Sequence, residues 1–249
     1  MKAFFRLTLL ILLAGLSLQL YFVGRIALMA LVDPESTAFE RSAVYSLVTT
    51  TGRLKWGQQW VPYSDMSDNL KRAVIASEDA SFTEHEGVDI EALEKAWDKN
   101  AKAEQKALQS SSKNLSAKTP IKPAKPPKIV GGSTITQQLA KNLFLSGERT
   151  LLRKGQELVL TVLLERLLSK QRILEIYLNS VEWGEGIFGA EAAAQHYFRK
   201  SAAKLSTYEA ARLAVMLPRP KYFETRPNSG YLSSRASTIA ARMGAVELP

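Results

Sequence analysis

The chain begins with its longest apolar stretch. Across residues 7–24 only Thr8, Ser17 and Gln19 interrupt the hydrophobic run, and after Arg25 a second apolar patch covers residues 26–32. At helical rise this is long enough to cross a hydrocarbon core. Further along, apolar residues recur every three to four positions, the period of a helix with one buried face. Ser67 is a plausible N-cap for a helix over residues 67–77, with Leu70, Ala73 and Val74 on one side. Paired glycines at Gly131 and Gly132 lead into another helix. There Ser133, Gln137 and Lys141 form a polar stripe while Ile135, Leu139 and Leu143 face the other way. Residues 148–168 predict a long helix that is apolar nearly all round, the signature of a core helix. Its few polar groups, Arg149, Arg153, Glu157, Thr161 and Glu165, recur every four residues. Helices are also predicted over residues 169–179, from a capping box at Ser206 and Glu209 to Leu217, and over residues 229–243. Strand-like alternation is confined to residues 44–60, so the fold class is mainly α.

Charge refines this picture at two places. Lys2 and Arg6 precede the apolar run, which favours a cytoplasmic N-terminus and places the rest of the chain outside. The run is longer than a signal peptide's apolar region and lacks a small-residue cleavage site, so residues 1–32 read as a retained anchor. Residues 33–249 then form one domain. It contains no cysteine and only two histidines, which excludes disulfides, thiolate metal sites and multi-histidine zinc centres. The chain carries a net charge of +9, and residues 99–128 hold eight lysines against the single Glu104. With Pro120, Pro123, Pro126 and Pro127 in the same stretch, about 99–130 reads as a flexible Lys/Pro-rich insertion, its first part extending the preceding helix. Beyond a membrane anchor and without interleaved aromatics, such a segment suits anionic lipid head groups or plain solvent, and no nucleic acid partner is expected.

The chemistry concentrates in residues 77–89, which pack Glu78, Asp79, Phe82, His85, Gly87 and Asp89 into one turn between helices. Turn carboxylates are usually just solvated. Glu78, however, falls at a helix C-terminus, where carbonyl dipoles disfavour an anion and raise its pKa toward that of a general base. Arg149, Arg153 and Lys154 beside Glu157 read either as a buried ion-pair network or as a phosphate clamp. Gly184, Gly186 and Gly189 spell a dinucleotide-binding pattern, but a helix precedes them where a strand is needed, and that reading is rejected.

Three of these stretches, with a fourth, resemble the motifs of the peptidoglycan glycosyltransferases, glycosyltransferase family 51. The pattern E-D-x-x-F-x-x-H-x-G-x-D is matched from Glu78 to Asp89, and G-x-S-T-x-T-Q-Q from Gly131 to Gln138. R-K-x-x-E is matched by Arg153, Lys154 and Glu157, and Y-L-N-x-x-x-x-G by Tyr177, Leu178, Asn179 and Gly184. The resemblance runs from about Trp56 onward and is to the stand-alone, monofunctional biosynthetic members, because no penicillin-binding transpeptidase sequence follows. It implies a lysozyme-like glycosyltransferase domain behind an N-terminal transmembrane helix, at the bacterial inner membrane with the catalytic domain periplasmic. It implies polymerisation of lipid II into β-1,4 glycan strands with inversion and release of undecaprenyl diphosphate. Glu78 would be the general base and Glu157 the second acidic residue, positioning the clamp or holding a divalent cation, Mg or Mn. Ser133, Gln137, Gln138, Lys141, Arg149 and Arg153 would bind the donor's sugar and diphosphate. Phe82, His85 and Asp89 would brace the loop. The implied partners are lipid II, the growing glycan strand and the membrane, with other cell-wall synthesis and division proteins. A lysozyme-like hydrolase and a non-catalytic scaffold are the competing classes; the first would need neither the cationic stripe nor the anchor.

Overall fold

The computed structural model describes residues 1–114, 132–145 and 150–249; Arg149 and the proline-rich part of the insertion lie outside the described residues. The chain is mainly α. In order it forms α1 (Lys2–Leu28), α2 (Ala38–Thr51), α3 (Asp68–Glu78), α4 (Ile90–Asn114), α5 (Ile135–Phe144), α6 (Leu151–Leu167) and α7 (Lys170–Ser180). An antiparallel hairpin of β1 (Glu182–Gly184) and β2 (Ile187–Phe188) comes next, then α8 (Ala190–Phe198), α9 (Thr207–Met216), α10 (Pro220–Glu224) and α11 (Gly230–Arg242).

The helix starts obey capping chemistry. Thr37, Ser67, Thr134, Thr150, Ser169, Ser206 and Ser229 each accept a hydrogen bond from a backbone N–H of the first turn. The core is built where α9 packs against both α3 and α11, and where α5 packs against α2, α6 and α7. Leu70, Leu139, Leu164, Ile173, Leu213 and Trp183 are fully buried there. Burying each such side chain contributes about 1.5–3 kcal/mol. The Trp183 indole N–H is satisfied by the Leu213 carbonyl at 3.0 Å, so the largest core group leaves no orphan donor.

Two expectations fail. Most of residues 44–60 is not strand-like: Thr37 and Glu40 form a capping box that starts α2, which runs to Thr51, and Gly57 alone makes a bridge, to Ile187. The local cap outweighs β-branched propensity on a helix that is mostly exposed. Second, α6 joins the core along one face only. Leu151 and Leu152 are 92% and 87% exposed, and Leu158, Val159, Val162 and Leu167 also face outward. Only Glu157, Leu160, Thr161 and Leu164 are buried on it. An all-round apolar helix can also face lipid, and α6 lies beside α1, the one described helix long and apolar enough to span a membrane.

The end of α1 is fastened to the domain. Gln19 and Gln156 exchange reciprocal amide hydrogen bonds at 2.9 and 3.3 Å, and the Phe22 and Phe144 rings meet edge to face at 5.3 Å. Arg172 on α7 donates to the Met29 carbonyl at 2.8 Å and pairs with Asp33 at 2.7 Å and Glu175 at 3.0 Å.

Candidate active site

Glu78 is the last residue of α3, and the turn after it sets its direction. Asp79 leaves the helix with an extended φ of −162° and points its carboxylate at α5. One oxygen accepts the Ile135 N–H at 2.9 Å, at the positive end of α5, and the other binds His85 Nε2 at 2.8 Å. His85 Nδ1 accepts the Gly87 N–H at 3.1 Å, which leaves the ring proton on Nε2 to be donated to Asp79. Asp89 accepts from Ser81 and from the Ala92 N–H. Gly87 has a φ of +84°, and a Cβ there would meet Thr161 Cγ2 at 2.6 Å, so this position requires glycine. Its carbonyl accepts from the Thr134 hydroxyl at 2.6 Å, tying the loop to the start of α5. Phe82, His85 and Asp89 thus brace the turn, and Asp79 clamps the end of α3 to the start of α5.

That clamp brings Glu78 to Gln138, one turn into α5. The Gln138 amide donates to Glu78 Oε2 at 3.1 Å, while its oxygen accepts the Tyr177 hydroxyl at 3.0 Å. With the Tyr177 hydroxyl donating to its oxygen, the amide presents its NH₂ to Glu78. Burial raises the pKa of Glu78 above the ordinary value. Hydrogen bonds from Gln138 and Ser77 oppose the rise, Asp79 adds to it, and Arg235 opposes it again. The elevation expected from the sequence is therefore present, with desolvation as its leading cause.

Glu78 lines a cavity of about 490 Å³ with Ser133 and with Lys95, Lys99, Arg235 and Arg242. A second cavity of about 380 Å³ is lined by Ser133, Gln137, Gln138, Lys141, Arg153 and Glu157. Glu78 and Lys141 thus face different pockets, joined through Ser133, which lines both, and Gln138, which reaches from the second to Glu78. In the second pocket Glu157 is nearly fully buried and pairs with Arg153 at 3.0 Å and with Lys154. Arg153 Nε is buried with no hydrogen-bond partner. Loss of solvent around the Lys141 ammonium holds its pKa below the ordinary lysine value; Glu157 pulls it up, and Arg153 and Lys154 push it down.

Seven of the eight site residues singled out from the sequence therefore fall in two adjoining pockets, and Arg149 lies outside the described residues. Two of them differ in detail. Ser133 precedes α5 instead of extending its polar stripe, which is why it can touch both pockets. Gln137 uses its amide oxygen to cap the Thr134 N–H at 3.2 Å, so part of its hydrogen-bonding capacity is structural. Arg235 and Arg242 were missed, since no motif marks them and only the packing of α11 against α3 and α9 brings them to Glu78's cavity.

Among the described residues, the candidate donors are already engaged within the protein and do not fit a resident divalent cation. Glu157 is committed to Arg153 and Lys154 among cationic neighbours. Asp79, His85 and Asp89 bring ligand atoms within 4.8 Å of one another, yet their contacts within the fold engage all three.

Residues 46–112 and 120–244 match the Transglycosylase family. The chain is 51% identical over 236 residues to the biosynthetic peptidoglycan transglycosylase of Burkholderia thailandensis, an alignment covering 95% of this chain and 84% of the relative. It is 49% identical over 248 residues to that of Herminiimonas arsenicoxydans, covering 100% and 98% of the two chains. To the protein of the same name from Burkholderia multivorans it is 49% identical over 236 residues, covering 95% and 87%. With the family model matching most of the chain, and near-complete coverage at about half identity, the chain belongs to the transglycosylase family.

Proposed function

We propose that this chain is a membrane-anchored peptidoglycan glycosyltransferase that polymerises lipid II, with the acceptor in Glu78's cavity and the donor's diphosphate in the cationic pocket beside it. The observation that carries the reading is the junction of the two at Ser133 and Gln138: a base and a phosphate-compatible cradle share one wall.

In this reading Glu78 removes the proton from the 4-hydroxyl of the acceptor's N-acetylglucosamine. The freed oxygen attacks C1 of the donor's N-acetylmuramic acid, the C1–O bond to the diphosphate breaks, and the α bond becomes β-1,4. One displacement with inversion suffices. Charge builds on the leaving diphosphate, where Lys141 and Arg153 stabilise it. The unpartnered Arg153 Nε supports this role, since a buried donor without an acceptor is costly until an anion supplies one. Glu157 orients Arg153 and Lys154, a positioning role that its two ion pairs support. Gln137, Gln138 and Ser133 offer hydrogen bonds to the donor sugar. A divalent cation here is a companion of the substrate's diphosphate, and no step of the displacement passes through it.

The placement suits the substrate. With α1 in the bilayer and the positive residues Lys2 and Arg6 inside, the domain lies on the outer face, where the apolar flank of α6 meets the same lipid. Confinement to the plane of a lipid-borne substrate raises its effective concentration.

Incubating purified lipid II with the enzyme, with Glu78→Gln and with Glu157→Gln separates the alternatives. Polymer from wild type and none from Glu78→Gln supports the reading. Cleavage of preformed glycan would turn the site into a hydrolase, and unchanged activity in Glu78→Gln would remove the base.

A further inference from the structure

The transmembrane helix carries an amide that a plain anchor would not need. Across residues 7–24 of α1 the polar interruptions are Thr8, Ser17 and Gln19. Thr8 returns its hydroxyl to the Phe4 carbonyl at 3.0 Å, a bond within its own helix. Gln19 instead reaches out of α1. Its amide donates to Gln156 Oε1 at 2.9 Å and accepts from Gln156 Nε2 at 3.3 Å. Arg25, six residues on, ends the apolar run, so Gln19 sits about 9 Å below that level in an upright helix. The pair therefore forms in hydrocarbon, where water offers neither amide a substitute.

Gln19 belongs to a docking face. Gln19, Phe22, Ile26 and Met29 recur at intervals of three and four residues, and the last three are buried, whereas Leu10, Leu12 and Leu16 are exposed. That face meets both helices that build the donor pocket: α6 at Gln156, and α5 where Phe22 packs on Phe144 at 5.3 Å. Gln156 adjoins Glu157 and lies one turn beyond Arg153, and Phe144 lies one turn beyond Lys141. Away from the pocket, α5 and α6 are joined by the Thr136 hydroxyl, which donates to Glu165 at 2.6 Å. At the pocket, α6 opens with Leu151 and Leu152, both exposed and contributing little packing to the domain. The first turns of α6 are thus fastened from the side of α1.

We propose that Gln19 is a positioning residue of the donor site: through Gln156 it holds the start of α6 where Arg153 and Lys141 meet the same diphosphate. This inference rests on the polymerase reading. Its consequence is that α1 is a working part of the donor pocket, and another span of equal length and hydropathy does not replace it.

The test is a coupling assay with the full chain in phospholipid nanodiscs, at saturating lipid II acceptor and varied donor strand, repeated with the two roles exchanged. Wild type is compared with Gln19→Leu, Gln156→Leu, the double variant and Gln19→Asn. Ser17→Leu, which removes a hydroxyl from an exposed position on the opposite side of α1, is the control. The expected result is a donor KM raised about fivefold by either single leucine variant, the equivalent of ~1 kcal/mol for an interhelical amide pair. Acceptor KM stays unchanged, Gln19→Asn restores part of the loss, and Ser17→Leu behaves as wild type. The double variant should be no worse than either single one, because both remove the same interaction. An unchanged donor KM in both single variants overturns the proposal. So does a loss that falls equally on donor and acceptor KM, a double variant in which the two losses multiply, or a Ser17→Leu as impaired as Gln19→Leu. Glu78→Gln in the same assay keeps the two ideas separate. Coupling at the wild-type rate by Glu78→Gln defeats the polymerase reading itself, whereas an inert Glu78→Gln beside an unchanged donor KM in Gln19→Leu and Gln156→Leu defeats only the role of Gln19.

Discussion

Gln138 is the residue whose replacement reports most specifically on Glu78. Its amide is held between the Tyr177 hydroxyl at 3.0 Å and Glu78 Oε2 at 3.1 Å, and methionine would keep its length while removing both polar ends. A hydrogen bond to a carboxylate contributes about 1.5–3 kcal/mol. Its loss shifts the balance between acid and carboxylate by roughly tenfold to a hundredfold toward the acid. Burial already raises the Glu78 pKa and Gln138 opposes that rise, so Gln138→Met raises it further. A general base works only when deprotonated. The acid limb of kcat/KM therefore moves to higher pH, with the largest deficit on that limb and recovery above it. Tyr177 is fully buried and would lose its acceptor, so the melting temperature should also fall by the equivalent of about 1–3 kcal/mol. The assay is kcat/KM for lipid II polymerisation against pH, beside thermal melting. A deficit of equal size at every pH would refute the reasoning, because it would make Gln138 a substrate ligand with no hold on the base.

Gly87→Ala should lower both stability and activity. The φ of +84° strains any L side chain by about 1–3 kcal/mol, and the new Cβ would also press on Thr161 and Glu165; melting and polymerisation rate both read this. Burial pushes Glu40 from 4.5 up to about 7. The folded chain thus gains stability by holding that proton, fully below pH 4.5 and lost as pH rises through about 7, so the wild-type melting temperature declines across that window. Glu40→Gln keeps a capping-box acceptor and should flatten the decline. With its candidate ligands engaged, the apoprotein should show no melting shift with Mn²⁺ alone, and any cation effect should require a diphosphate; a shift with Mn²⁺ alone would reveal a resident site.

The motifs made Glu78, Lys141, Arg153 and Glu157 legible in the sequence because their chemistry is local to short segments. The helix caps at Ser67, Ser206 and Ser229 were legible for the same reason. The features that could not be read were set by the neighbourhood. The desolvation of Glu78 depends on α9 and α11 packing against α3, so the direction of its shift was legible and its leading cause was not. The outward leucines of α6 look like core residues until α1 is placed beside them. Residues 44–51 have strand-like composition, and the reciprocal Thr37–Glu40 cap upstream decides for helix. Arg235 and Arg242 resemble any surface arginines until α11 is docked on α3.

The central claim is that Glu78 takes the acceptor's proton beside a pocket that carries the leaving diphosphate. Single-turnover coupling of lipid II to a donor strand, comparing wild type with Glu78→Gln at matched folding, tests it most directly. Removing a general base costs about 10²–10⁴-fold, so the variant should couple at least a hundredfold more slowly while still binding donor. Coupling by Glu78→Gln at the wild-type rate would contradict the mechanism.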